Sequence, residues 1–232
     1  MAEALPSTGG PGPSEQYGCD TSDMFLVHKL LRSLFGDAPM LVTSVPVGNR
    51  ERAAVIADHL AEIADGLHDH HHTEDDELWD RLETREPACT LHVSRMKAAH
   101  AEIAVQIEKL TSALPAWRAS ASAADRAAVL TIMETILREL GDHLGDEEVT
   151  ILPIASRTMT QAEWDRMGEI ARAKVPKSRL FLQLGFILDT VPEQDRERWK
   201  KDFLPAPARI LYALVGKRQY EKHRKLVYGD AA

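Results

Sequence analysis

The sequence predicts an all-α protein, an up-down four-helix bundle followed by a C-terminal helical extension. Three observations carry this expectation. Apolar residues recur at helical spacing through four long segments, with no strand-like alternation. Prolines and glycines fall between those segments and punctuate them. Hydrophobic residues make up 44% of the 232, enough for one large domain or a domain with an extension.

The elements follow in order. Residues 1–20 are rich in Gly, Pro and Ser without apolar period and are expected to be a disordered tail. Thr21 and Ser22 are N-cap candidates for a first helix over Met24–Phe35, which Gly36, Pro39 and Pro46 should break. A second helix is predicted from about Asn49 to Glu83, ended by Pro87, and a third from about Ala88 to Leu114, stopped by Pro115. A fourth should start at Asp125 and reach Leu152, before Pro153. Thr160 and Glu163 form a capping-box pattern that opens a fifth helix to about Ala173. Three or four shorter helices should fill 176–228, divided at Pro176, Pro192 and Pro205. The expected division is therefore a tail over 1–20, a bundle with its fifth helix over 21–175, and a basic extension over 176–232.

Charge shifts at the same boundary. Residues 1–175 hold 16 Lys/Arg against 29 Asp/Glu, whereas 176–232 hold 12 against 7. The simplest account is that the two parts pack together, with 176–232 also available to a protein partner. No nucleic-acid-binding pattern accompanies the basic residues, so nucleic acid is not an expected partner. The longest apolar runs, such as Arg179–Leu188, fall well short of the roughly 20 residues that span a bilayer. No basic stretch leading into an apolar one opens the chain, which reads as cytoplasmic and not membrane-bound. Two cysteines, Cys19 and Cys89, supply neither a disulfide framework nor a thiolate metal site. Any metal must take imidazole and carboxylate, a donor set suited to iron, manganese or zinc.

Two segments are versions of one another. Leu67–Trp79 carries His70 and Glu74, and Leu140–Leu152 carries His143 and Glu147, each pair one helical turn apart on an apolar face. The first and third helices each add a lone histidine on an apolar face, His28 and His100. One such histidine is usually an ordinary core residue. Four, one per helix and two of them paired with Glu, form a constellation that a dinuclear metal site in a bundle core would use. The other histidines sort by projection. His68, His71 and His72, with Asp75 and Asp76, are assigned to a solvated face, where a second, weak metal site is the lesser alternative; His71 borders the ligand face. His59 and Glu77 share the ligand face but lie too far along the helix, and are expected to pack or to hydrogen-bond behind a ligand. No phosphate loop or nucleophile pattern competes with the metal reading.

These residues resemble the hemerythrin-like family, the HHE cation-binding domains, over roughly residues 22–155. The motif order is His, His-x-x-x-Glu, His, His-x-x-x-Glu. The resemblance implies a four-helix bundle holding two non-haem iron ions bridged by oxo or hydroxo, in preference to manganese or zinc, with His28, His70, Glu74, His100, His143 and Glu147 as ligands. The chain departs from the oxygen-carrying hemerythrins where Met96 replaces an earlier histidine on the third helix. It departs again at the last motif, where Glu147 stands four residues after His143 and Glu148 five. Fewer imidazoles and more carboxylate resemble a subgroup linked to iron sensing, peroxide handling or nitric oxide response. The implied function is binding or reduction of O2, peroxide or NO. The alternatives are a non-enzymatic oxygen, redox or iron sensor or iron-binding protein and, third, a di-iron oxidase or oxygenase acting on an organic substrate.

Overall fold

The computed structural model describes residues 16–229. Four long helices build its bundle: α1 (Ser22–Ser44), α2 (Arg50–Glu77), α4 (Thr90–Ser120) and α5 (Ala123–Asp146), with the short α3 (Trp79–Arg85) between α2 and α4. In the bundle α1 packs on α2 and α5, and α4 packs on the same two. This is the closed square that successive antiparallel neighbours make. Asn49 caps α2 through Arg52 N–H, and Ser122 caps α5 through Asp125 N–H, 3.0 Å each. At the loop end of the bundle, Gly48 N–H donates to Ala121 carbonyl (2.9 Å) and Arg126 to Val45 carbonyl (3.0 Å).

Three helix limits differ from expectation. The first helix does not stop at Gly36 or Pro39 but runs through both to Ser44. An interior proline costs about 3 kcal/mol. Beyond it Leu41 and Val42 are buried, as are Phe35 and Ala38 before it, and each large side chain so placed contributes about 1.5–3 kcal/mol. Burial wins. The third helix likewise passes Pro115 to bury Trp117. In the opposite sense, α2 ends at Glu77, where Leu78 turns the chain into α3.

The fourth helix also changes form near its predicted end. After Asp146 it widens into a π turn, Glu147–Ile151, and then continues as α6 (Leu152–Thr158) with Pro153 in its first turn. Proline is tolerated there because the first N–H groups of a helix have no partner within it. Helix α7 (Gln161–Lys174) opens with the predicted capping box: Thr160 accepts from Glu163 N–H at 3.3 Å, and Glu163 accepts from Thr160 N–H at 3.0 Å.

The remaining helices are α8 (Leu180–Thr190), α9 (Arg196–Phe203), α10 (Ala206–Leu211) and α11 (Lys217–Tyr228), with a π turn, Tyr212–Gly216, before the last. Helix α8 lies on α1, and α11 on α8 and α2. Among the described residues no strand forms; Gly18 and Thr160 make one isolated bridge. Of the expected tail, residues 1–15 lie outside the described residues. Residues 18 and 19 are held by backbone hydrogen bonds to Met159 (2.8 Å) and Ser156 (2.9 Å), so Cys19 sits against α6 as a free thiol. None of the described helices is long and apolar enough to cross a membrane.

Two apolar clusters fill the bundle. One extends from Leu31 and Phe35 through Leu67, Ile103 and Leu144 toward the loop end. The other gathers Met24, Leu78, Trp79, Met96 and Ile151 with α6 and α7. The polar layer lies between them.

Candidate metal centre

Each bundle helix crosses that layer at one place. On α1, His28 stands between Met24 and Leu31; on α2, His70, His71 and Glu74 stand between Leu67 and Leu78. On α4, His100 stands between Met96 and Ile103, and on the last helix His143 and Glu147 between Leu140 and Ile151. All six sequence-predicted residues therefore meet at one level. His28 and Glu147 are 0% exposed, Glu74 1%, His143 2% and His100 4%; the His70 side chain is 12% exposed.

The distances resolve the layer into two halves. His28 Nε2 is 3.5 Å from Glu147 Oε2, and His70 Nε2 is 3.3 Å from Glu74 Oε1. Across the layer, His100 Nε2 lies 3.4 Å from Glu74 Oε2, and His143 Nε2 lies 3.6 Å from Glu147 Oε2. Ligating atoms of His28, His70, Glu74 and Glu147 cluster as one group, and those of His71, His100 and His143 as a second. Both carboxylates thus stand between the two groups of rings.

His71 was missed. Projection from His70 set it on a solvated face, yet it is 5% exposed. Its ring stacks on that of His100, centroids 4.0 Å apart, and meets His143 edge-on at 4.8 Å. Neighbouring residues on a helix differ by about 100°, enough for His70 to face α1 while His71 faces α4. The only sequence signal was its position beside the ligand face.

Of the two roles expected for His59 and Glu77, packing holds for His59, and other residues stand behind the rings. Glu77 pairs with Arg81 at 2.8 Å, and His59 lies among Phe186, His223 and Tyr228, so neither supports a ring of the layer. Asp75 and Glu148 do. Asp75 Oδ1 accepts from His100 Nδ1 and from Trp79 Nε1, both at 2.7 Å. Glu148 Oε1 accepts from His28 Nδ1 at 3.0 Å and from Arg32 at 2.6 Å. A carboxylate can only accept, so each fixes the proton on Nδ1 and leaves the Nε2 lone pair facing the layer. Glu148 reaches His28 from the π turn, a local widening frequent at functional sites.

The electrostatics suit a bound cation. Burial holds the His28 imidazole down at about 4 and His143 at about 3, and pushes His70 and His71 well below their usual range. Burial raises Glu74 and Glu147 well above the carboxylate range, Glu147 further because Glu74 is beside it. The Nε2 atoms of His28, His70, His71, His100 and His143, and both oxygens of Glu74 and of Glu147, find no hydrogen-bond partner among the described residues. Buried polar atoms left this way each cost on the order of 1–3 kcal/mol. So many converging on one layer leave room for an occupant, and neutral imidazoles with carboxylates are donors that suit a transition-metal ion.

Residues 20–155, more than half of the chain, match the family described as the Hemerythrin HHE cation binding domain. The chain belongs to this family. Comparison with curated proteins and with solved structures gave no match. The hemerythrin match ends at residue 155, within α6, so the whole polar layer falls inside it and the C-terminal helices outside. In this hemerythrin-like bundle Met96 is 2% exposed and packs with Val93 and Trp79 beside the layer, where it contributes apolar surface.

Proposed function

We propose that this is a cytoplasmic, non-haem di-iron member of the hemerythrin-like family that binds or reduces O2, peroxide or NO. One observation carries the reading: two groups of unpartnered ligand atoms lie side by side, Glu74 and Glu147 belonging to the first and standing 3.4 and 3.6 Å from His100 and His143 of the second. His28 and His70 would hold one iron, His71, His100 and His143 the other, with both glutamates between them. Bound iron would supply one-electron redox chemistry and an open position for a small ligand.

The chain's own residues account for the rest. Asp75 and Glu148 orient His100 and His28. Met96, Trp79 and Ile103 keep the layer dry, which strengthens every electrostatic interaction within it. Glu148, joined to Arg32, stays a carboxylate and so keeps the His28 proton on Nδ1.

One contact favours sensing as a second reading. Lys29, the neighbour of His28, donates to the carbonyl of Thr190 at the end of α8. In that reading residues 21–175 form the metal-binding unit, and 176–232 an output surface for a protein partner, biased by the position of α1.

The test is anaerobic loading with ferrous iron, followed by air. The expected result is two irons per chain, matching the two ligand groups, with near-ultraviolet charge-transfer bands of a coupled ferric pair. Glu74→Ala and Glu147→Ala should each lose tight binding of both. Two irons retained in both variants would overturn the assignment. Turnover of peroxide or consumption of NO by the loaded chain separates the reactive reading from metal-dependent protease resistance without turnover.

A further inference from the structure

A buried metal layer needs a way in. A cleft of about 170 Å³ opens between α2 and α4 and reaches the rings of His71 and His100. At about 30 Å³ per water it holds about six waters, room for a partly hydrated ion. Ala101 and Ala104 form its α4 wall, small side chains that leave it open. His68 and His72 line its outer part and are exposed.

These two histidines have the one-turn spacing with which a helix can offer two imidazoles to one ion, reached here by turning the side chains. They stand one turn apart on α2, on the same face, with Cβ atoms about 5–6 Å apart at that spacing. Their rings lie parallel within 7°, centroids 6.1 Å apart. His72 Nε2 is 3.4 Å from Asp76 Oδ2, with both side chains more than half exposed. The charge around the cleft favours cations. Lys97 in its wall is matched by Glu83 at 3.0 Å and Asp80 at 3.7 Å, leaving Asp75 and Asp76 as the carboxylates on the α2 side.

An exposed pair of histidines beside acids is ordinarily a solvated face. Here the cleft leads from that pair to His71 and His100, residues 5% and 4% exposed whose Nε2 atoms lack partners among the described residues. We propose that His68, His72 and Asp76 form a surface site for a divalent transition-metal ion, and that the cleft is the route by which that ion reaches His71 and His100. The proposal rests on the metal-centre reading above. Capture at the surface raises the local concentration of the ion at the mouth of a narrow path, and carboxylates beside that mouth favour its arrival.

The test uses Co2+ alone, added to the metal-free full chain. Equilibrium titration counts tight and weak ions. Stopped-flow tryptophan fluorescence follows loading, since the Trp79 ring is 5.5 Å from that of His100. Two variants are compared with the unaltered chain: His68→Ala with His72→Ala, and Ala104→Phe, which narrows the cleft without touching a ligand. Both should keep the tight ions. The double alanine variant should lose a weaker ion and load about tenfold more slowly or worse. Ala104→Phe should keep the weaker ion and also load slowly. Unchanged loading in either variant, or a weaker ion that survives the double substitution, overturns the port. Absence of tight ions from the unaltered chain would instead sink the metal-centre reading, and the port with it.

Discussion

Asp75 and Glu148 do equivalent work on two sides of the polar layer. Each accepts from an Nδ1 whose ring turns its other nitrogen inward. Removing such a partner leaves the ligand set intact but loosens it, at a cost of about 10- to 100-fold in metal affinity. Asp75→Asn and Glu148→Gln should each weaken binding on that scale, read by competition with a chelator, with helical circular dichroism unchanged. His71→Ala is different in kind, because it removes one of the three rings that could hold the second ion. One tight ion should be lost and the other kept; retention of both would return His71 to a packing role. Neither Asp75 nor Glu148 was legible as a partner. Asp75 reads as one of a run of surface acids, and Glu148 reaches His28 only because the π turn changes the local register.

At the scale of the element, α7 shows how a local signal and a distant partner combine. Thr160 and Glu163 make its capping box, as the sequence predicts. The structure adds Arg85 from α3, whose guanidinium donates to both Glu163 oxygens at 2.7 and 2.6 Å. Chiefly through Arg85, the Glu163 carboxyl is lowered from 4.5 to about 2. A depressed carboxyl stabilises the fold fully above its unfolded value near 4.5 and ceases to do so as pH falls through about 2. Glu163→Gln should therefore cost about 1–3 kcal/mol at neutral pH, with the difference from the unaltered chain shrinking between about pH 4.5 and 2. Urea unfolding across that range checks it. The two prolines teach the converse lesson at this scale. Pro39 and Pro115 are strong local stops, but both helices continue because what lies beyond them is buried in the common core.

Across the whole molecule, the acidic bundle and the basic C-terminal helices do meet, though mostly not through opposite charges. Arg179 and Glu62 are such a pair, at 3.2 Å. The other cations run from bundle to extension: Lys29 donates to the Thr190 carbonyl at the end of α8, and Arg52 to those of Leu226 and Val227 near the end of α11. Both fall where a helix presents unpaired carbonyls and the negative end of its dipole. Within the extension, α8 and α11 touch at Gly185, where an added Cβ would lie 2.2 Å from Tyr220 Cγ. Tyr220 also donates to Asp189, which Arg196 and Arg224 each approach at 3.3 Å. Gly185→Ala should therefore separate these helices at a cost of about 1–3 kcal/mol. Limited proteolysis should then cut faster within 180–228, while tight metal binding in the bundle is unchanged. A simultaneous loss of metal would mean that the extension completes the site.

The sequence by itself determined the helical class, the four-helix layout and the six residues that share the polar layer. These rest on relations within one helix: a turn between His70 and Glu74, a turn between His143 and Glu147, and apolar neighbours around His28 and His100. The helical period makes such relations visible to anyone who counts residues. Only the tertiary structure decided that His71 joins the layer, that Asp75 and Glu148 stand behind it, and that α1 and α4 outlast their prolines. Each depends on which helix lies opposite and how deeply it buries the residue. Packing free energy is a property of pairs of elements, and no single helix carries it.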